Sequence, residues 1–126
     1  MTIAEAIAHV DRLKPNQYSK TTKINWLSKL DGQIFTEIIK THENSPVETF
    51  TGYDEEMQDQ NINLLVPYPY DEDIYNYYLQ AQIDKENGEI AKYNQSKIMY
   101  SNALKAFQNW YNQTNMPKAA GKRFLF

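Results

Sequence analysis

The residues best suited to chemistry in this 126-residue chain are crowded into PYPYDEDIYNYY, Pro67–Tyr78. The run holds five of the ten tyrosines, Tyr68, Tyr70, Tyr75, Tyr77 and Tyr78, with Asp71, Glu72 and Asp73 among them. Aromatic rings on one exposed face make a stacking platform for a base or a sugar. Grouped carboxylates hold a hard cation, or divide into acid and base when their surroundings split their pKa values. Both uses need a geometry that this spacing does not supply. A calcium loop sets oxygen ligands at fixed alternate positions with a glycine at the sixth. Neither Asp71–Asp73 nor Asp54–Asp59 has that pattern. The three acids suit the first turn of a helix, where each gains typically about 0.3–1 kcal/mol from the helix dipole. On that helix Tyr75 and Tyr78 fall on the apolar face and Tyr77 points well away from it. Tyr68 and Tyr70 lie on a proline-stiffened segment just before. Rings spread over at least three directions read as core or protein interface.

Other constellations are weaker. His9 and His42 fall in different helices, whereas zinc wants several His/Cys ligands at recognisable spacing. Each reads as a surface or capping residue. No HExxH, GxSxG, phosphate-binding glycine loop or dinucleotide fingerprint occurs, and the four glycines are dispersed. No carboxylate pair has the buried apolar flanks that would split its pKa values. The expectation is a non-enzymatic protein with no catalytic residue, no cofactor and no metal.

The elements that must position these residues are helices. Thr2 and Glu5 have capping-box spacing, and Ile3, Ala6, Ile7, Val10 and Leu13 then recur at helical period. Pro15 stops this first helix, expected over 2–13. Ser19 caps a second, over 20–42, whose stripe is Ile24, Leu27, Leu30, Ile34 and Ile38 with Phe35 beside it. Gly32 inside it invites close approach of a neighbouring helix. A third helix over 71–87 carries Ile74, Tyr75, Tyr78, Leu79 and Ile83 and ends at Asn87-Gly88, a C-cap signal. A fourth over 89–114 carries Tyr93, Tyr100, Ala103, Leu104, Phe107, Trp110 and Tyr111, with Ser96 in the same column. Both stripes need a partner, so the last two helices form a hairpin. Residues 44–70 hold Pro46, Pro67, Pro69 and Gly52 and read as an irregular acidic excursion with room for one or two short strands. The fold class is mainly α, about four helices, as one domain over 1–117 with a tail over 118–126.

Composition bounds the rest. Hydrophobic content of 41% and charged content of 23% do not describe a disordered chain. Absence of cysteine removes disulfide and thiol chemistry. The apolar runs are too short to span a membrane, and the N-terminus lacks a basic signal-like region, so the expectation is an intracellular soluble protein with no membrane partner. The net charge is only −3, yet residues 41–84 carry ten acids and neither Lys nor Arg, and residues 85–126 carry seven Lys/Arg and two acids. Solvated faces account for such patterning; complementary surfaces that meet between subunits are the sharper reading. A nucleic-acid footprint would use Lys92, Lys97, Lys105, Lys118, Lys122 and Arg123, but these are dispersed in an acidic chain.

Several stretches together resemble a known group. They are Leu79–Asp84 (LQAQID), Asn87–Glu89, Lys92–Asn94, Tyr100–Asn102 and Phe107–Asn112 (FQNWYN), with Thr2–Ile7, Tyr18–Gln33, Leu64–Pro67 and Tyr70-Asp71. Over most of the chain they resemble small helical proteins of tailed phages and prophages of Gram-positive bacteria, the head–tail connector or adaptor class. That resemblance implies a virion structural protein, assembled in the bacterial cytoplasm as a homo-oligomeric ring in the neck. Its partners would be copies of itself and neighbouring portal or neck proteins, with DNA passing through rather than being specifically bound. A closed ring joins one surface to a different surface of the next subunit. Interface candidates are Tyr68, Tyr70 and Tyr77 and the tail residues Lys122, Arg123, Phe124, Leu125 and Phe126. The tail is expected to dock on an adjacent subunit or neck protein. The alternative is a small phage-encoded, non-enzymatic binding module acting on a host partner.

Overall fold

The apolar stripes form helices where their caps and stops allow. The structure, a computed structural model, describes residues 1–42, 49–54 and 61–114. Helix α1, Ile3–Leu13, opens on Thr2, whose hydroxyl accepts from the Glu5 amide while the Glu5 carboxylate accepts from the Thr2 amide. Those bonds hold the Glu5 carboxyl below its ordinary range. Helix α2, Lys20–Ile34, opens on Ser19, whose hydroxyl accepts from Thr22 N–H. Each cap satisfies N–H groups that a helix start leaves unpaired. Helix α3, Asp71–Glu86, places Asp71, Glu72 and Asp73 in its first turn. Helix α4 is Ile90–Thr114.

Two boundaries differ from expectation. The second helix does not run on as α-helix to 42: Phe35–Ile39 widens into a π-helical turn, in which Lys40 N–H reaches the Phe35 carbonyl. Ile34, Phe35, Ile38 and Ile39 are all buried there. At the end of α1, Leu13 is 57% exposed instead of completing the stripe. The chain turns at Lys14, and it is the Lys14 side chain that reaches inward, to Asp84.

Helices α3 and α4 form an antiparallel hairpin. Asp84 meets Ser96, Tyr78 meets Tyr100, and Tyr70 meets Phe107 and Trp110, so partners run in opposite directions along the chain. The turn uses Gly88 at φ +75°, a conformation that favours glycine after a helix end. The core gathers Ile3, Ile7 and Val10 of α1, Ile24, Leu27, Leu30 and Ile34 of α2, and Ile74, Tyr75, Leu79 and Ile83 of α3. Phe107 and Tyr111 close it from α4.

The described parts of the irregular region lie along the helices. Phe50 rests on Phe35 and Tyr53, with ring centroids 6.3 and 5.1 Å away. A Cβ on Gly32 would meet the Phe50 ring at 3.9 Å, so that glycine faces this segment rather than a neighbouring helix. Gly52 has φ +102°, and a Cβ there would come within 2.6 Å of the Ser28 hydroxyl. Where short strands are expected, Asn63 makes an isolated antiparallel bridge with Thr2. Ile3 N–H donates to Ile62 and Leu64 N–H to Met1 around it.

Candidate functional site

The tyrosine run comes apart in space. Tyr75 and Tyr78 are buried, as their helical positions imply. Tyr70 is half-buried, its ring 5.4 Å from Trp110 and 6.0 Å from Phe107, so it serves the fold of its own chain. Tyr68 stands 85% exposed, and Tyr77 is half-exposed. Lys122, Arg123, Phe124, Leu125 and Phe126 lie outside the described residues, as does the rest of the tail.

Of the two roles expected of His42, surface or capping, the structure overturns the first and agrees with the second, since its ring reaches a carbonyl of the last helical turn of Phe35–Ile39. The residue is 5% exposed: Nδ1–H donates to the Ile38 carbonyl at 2.5 Å, and Nε2 lies 2.6 Å from Asn112 Oδ1. Its ring stands edge-on to Tyr111 at 4.8 Å. Both ring nitrogens find partners, which is what permits burial. His9 is half-exposed, with Nε2 3.6 Å from Glu72.

Three polar groups of the interior escaped sequence reasoning. Asp31 follows Ile24 and Leu27 by seven and four residues, which places a carboxylate in the core stripe of α2. It is fully buried and accepts from Tyr75 Oη at 2.6 Å, from the Leu65 amide at 3.1 Å and from the Tyr53 hydroxyl. Tyr75 Oη in turn accepts from Val66 N–H at 2.9 Å. The cluster ties the segments around Tyr53 and Leu65 to α2 and α3. Burial pushes the Asp31 carboxyl above its ordinary range, and the three donors only partly oppose this because none carries a charge. Burial, then the Asp31 charge, pushes the Tyr53 and Tyr75 hydroxyls well up, so both remain protonated donors. Elsewhere Asp84, also fully buried, takes Lys14 Nζ at 2.5 Å and Ser96 Oγ at 3.1 Å. Lys23, 3% exposed, reaches Asp11 at 2.6 Å. Asp84, the last acid of the acidic middle, is thus turned inward rather than presented to a partner.

The surface offers one groove with a distinct chemistry, of about 510 Å³, between α2, α3 and α4. Each helix contributes a row at helical spacing: Trp26, Lys29 and Gln33; Tyr78, Gln82 and Lys85; Tyr93, Lys97 and Tyr100. The rings form its base and three ammonium groups its rim, with Glu86 beside them. Tyr78 and Tyr100 pair at 5.3 Å, Lys97 Nζ lies 5.7 Å from the Tyr93 ring centre, and Tyr18 packs edge-on against Trp26. Burial pushes the Tyr100 hydroxyl up to about 12, so it stays a donor at neutral pH. Such a lining can hold an anionic, partly apolar chain. The signal was present as three parallel rows of aromatic, polar and lysine residues, but Tyr78, Tyr93 and Tyr100 also satisfy the core pattern.

A second surface is the outside of α4. Only Ser96, Phe107 and Tyr111 of its residues are buried, while Ile90, Ile98 and Met99 are 72%, 61% and 42% exposed. Among the described residues no three His, Asp or Glu side chains gather as a metal site would need. No described helix is long and apolar enough to cross a membrane. The chain matches no protein-family profile, no curated protein and no solved structure.

Proposed function

We propose that this chain is a structural, non-catalytic assembly subunit of the head–tail connector kind, forming a ring in a phage neck through which DNA passes. The observation that carries the proposal is the half-used helix α4. Its 25 residues extend about 38 Å, yet it buries a single stripe. Ile98 sits about 180° around the helix from Phe107, directly opposite the core. Large apolar residues held outward on a rigid helix are the anchors that interfaces use. Tyr68 supplies a second exposed anchor, in the turn before α3. Ring closure needs two different surfaces, and the resemblance of the C-terminal segments to phage neck proteins supports this use of them. Its partners are then copies of itself and a portal or neck protein, its place the virion neck, and its assembly the bacterial cytoplasm.

Light scattering and negative-stain imaging of the purified protein, alone and with a portal ring, test this. Wild type should form closed oligomers or decorate the portal. Ile98→Asp should keep its helical circular dichroism and lose that assembly. Removing residues 118–126 should do the same if the tail docks on a neighbour. A wild type that stays monomeric and ignores the portal would leave the binding-module alternative, which the groove favours.

A further inference from the structure

The groove between α2, α3 and α4 has a charge and a shape that the outer face of α4 does not need. Lys29, Lys85 and Lys97 rim it, and Trp26, Tyr93 and Tyr100 line its base. The chain carries the complementary sequence: DEEMQD, Asp54–Asp59, four acids in six residues, within a stretch from 41 to 84 that has no Lys or Arg. We infer that this groove docks the acidic segment Asp54–Asp59 of a second copy of the chain. The inference rests on the assembly reading and names one of its contacts. The segment's one apolar residue, Met57, stands in sequence between Glu55-Glu56 and Asp59. A methionine suits a lining rich in rings, because sulfur–aromatic contact is favourable. The acids on either side of it match the three lysines of the groove in charge. The basic tail, with Lys118, Lys122 and Arg123, is the wrong sign for this site. Single-stranded nucleic acid shares the acidic segment's sign, and competition between the two distinguishes them.

Trp26 and Trp110 are the two tryptophans, so Trp110→Phe leaves Trp26 as a reporter inside the groove. A synthetic peptide of residues 52–62 is titrated into that variant while Trp26 fluorescence is followed. Saturable binding is expected, weakening as salt rises. Lys85→Glu with Lys97→Glu should weaken it at least tenfold, as should a peptide with Gln or Asn at 55, 56 and 59. The same lysine reversals in the full chain should reduce assembly, and mixing them with a Glu55→Lys, Glu56→Lys, Asp59→Lys chain should recover it. No response to peptide, or displacement of peptide by oligothymidylate at lower concentration, overturns the inference. So does binding confined to the acid-reversed chain, which would mean that each copy fills its own groove. Rings that form without peptide binding sink this contact and spare the assembly reading. Peptide binding in a protein that never exceeds a dimer does the reverse.

Discussion

At the scale of residues, the buried Asp31 decides more than any exposed group. Tyr75 both donates to it and accepts from Val66 N–H, so the Tyr75 hydroxyl stands between a carboxylate and a backbone donor. Tyr75→Phe keeps the ring, leaves Val66 N–H without its acceptor and takes one of three donors from Asp31, at a cost on the order of 2–4 kcal/mol. Urea unfolding should show a lower midpoint with an unchanged slope. Asp31 also gives a pH signature. Its folded pKa is raised, so its contribution to stability is full below the unfolded value of about 3.9 and is lost as pH rises through the folded one. Stability of Asp31→Asn relative to wild type should therefore shift in the variant's favour between pH 3 and pH 7. A difference that stays flat, or moves the other way, would mean the Asp31 carboxyl is not raised.

At the scale of elements, α4 separates two aromatic positions that its stripe treats alike. Phe107 is fully buried, touching Tyr70, Trp110 and Tyr111. Trp110 lies at the edge of that cluster and is half-buried. Phe107→Ala should cost roughly 3–5 kcal/mol, as other buried aromatics do. Trp110→Ala should cost about 1–2 kcal/mol, because part of its surface already faces water. Thermal unfolding of the two variants side by side checks the order. A Trp110 loss equal to that of Phe107 would place Trp110 in the core that its spacing suggests.

At the scale of the whole molecule, Asp84 joins the start of the chain to its end. Lys14 closes α1, Asp84 lies in α3 and Ser96 in α4, and the three side chains meet at the fully buried Asp84 carboxylate, with Lys14 itself partly exposed. Lys14→Ala leaves a buried carboxylate without its cation, at a cost of about 3 kcal/mol. Adding Asp84→Asn removes the charge and should recover part of that loss. A double variant as unstable as the sum of its single changes would show that the pair does not couple.

The sequence by itself determined the helices. Their stripes, the caps at Thr2 and Ser19 and the stop at Asn87-Gly88 are local signals, each complete within a few residues. It also indicated the hairpin, since two amphipathic helices joined by a short turn must bury against each other. Only the tertiary structure decided which tyrosines face water, that His42 is buried, and that Asp31 and Asp84 are core residues. These depend on groups some 20 to 70 positions away: Tyr53 for Asp31, Lys14 for Asp84, Asn112 for His42. A polar residue is buried only when distant partners arrive to satisfy it, and helical periodicity carries no record of which partners those are. The groove is of the same kind, because three rows on three helices become one lined surface only when the helices pack.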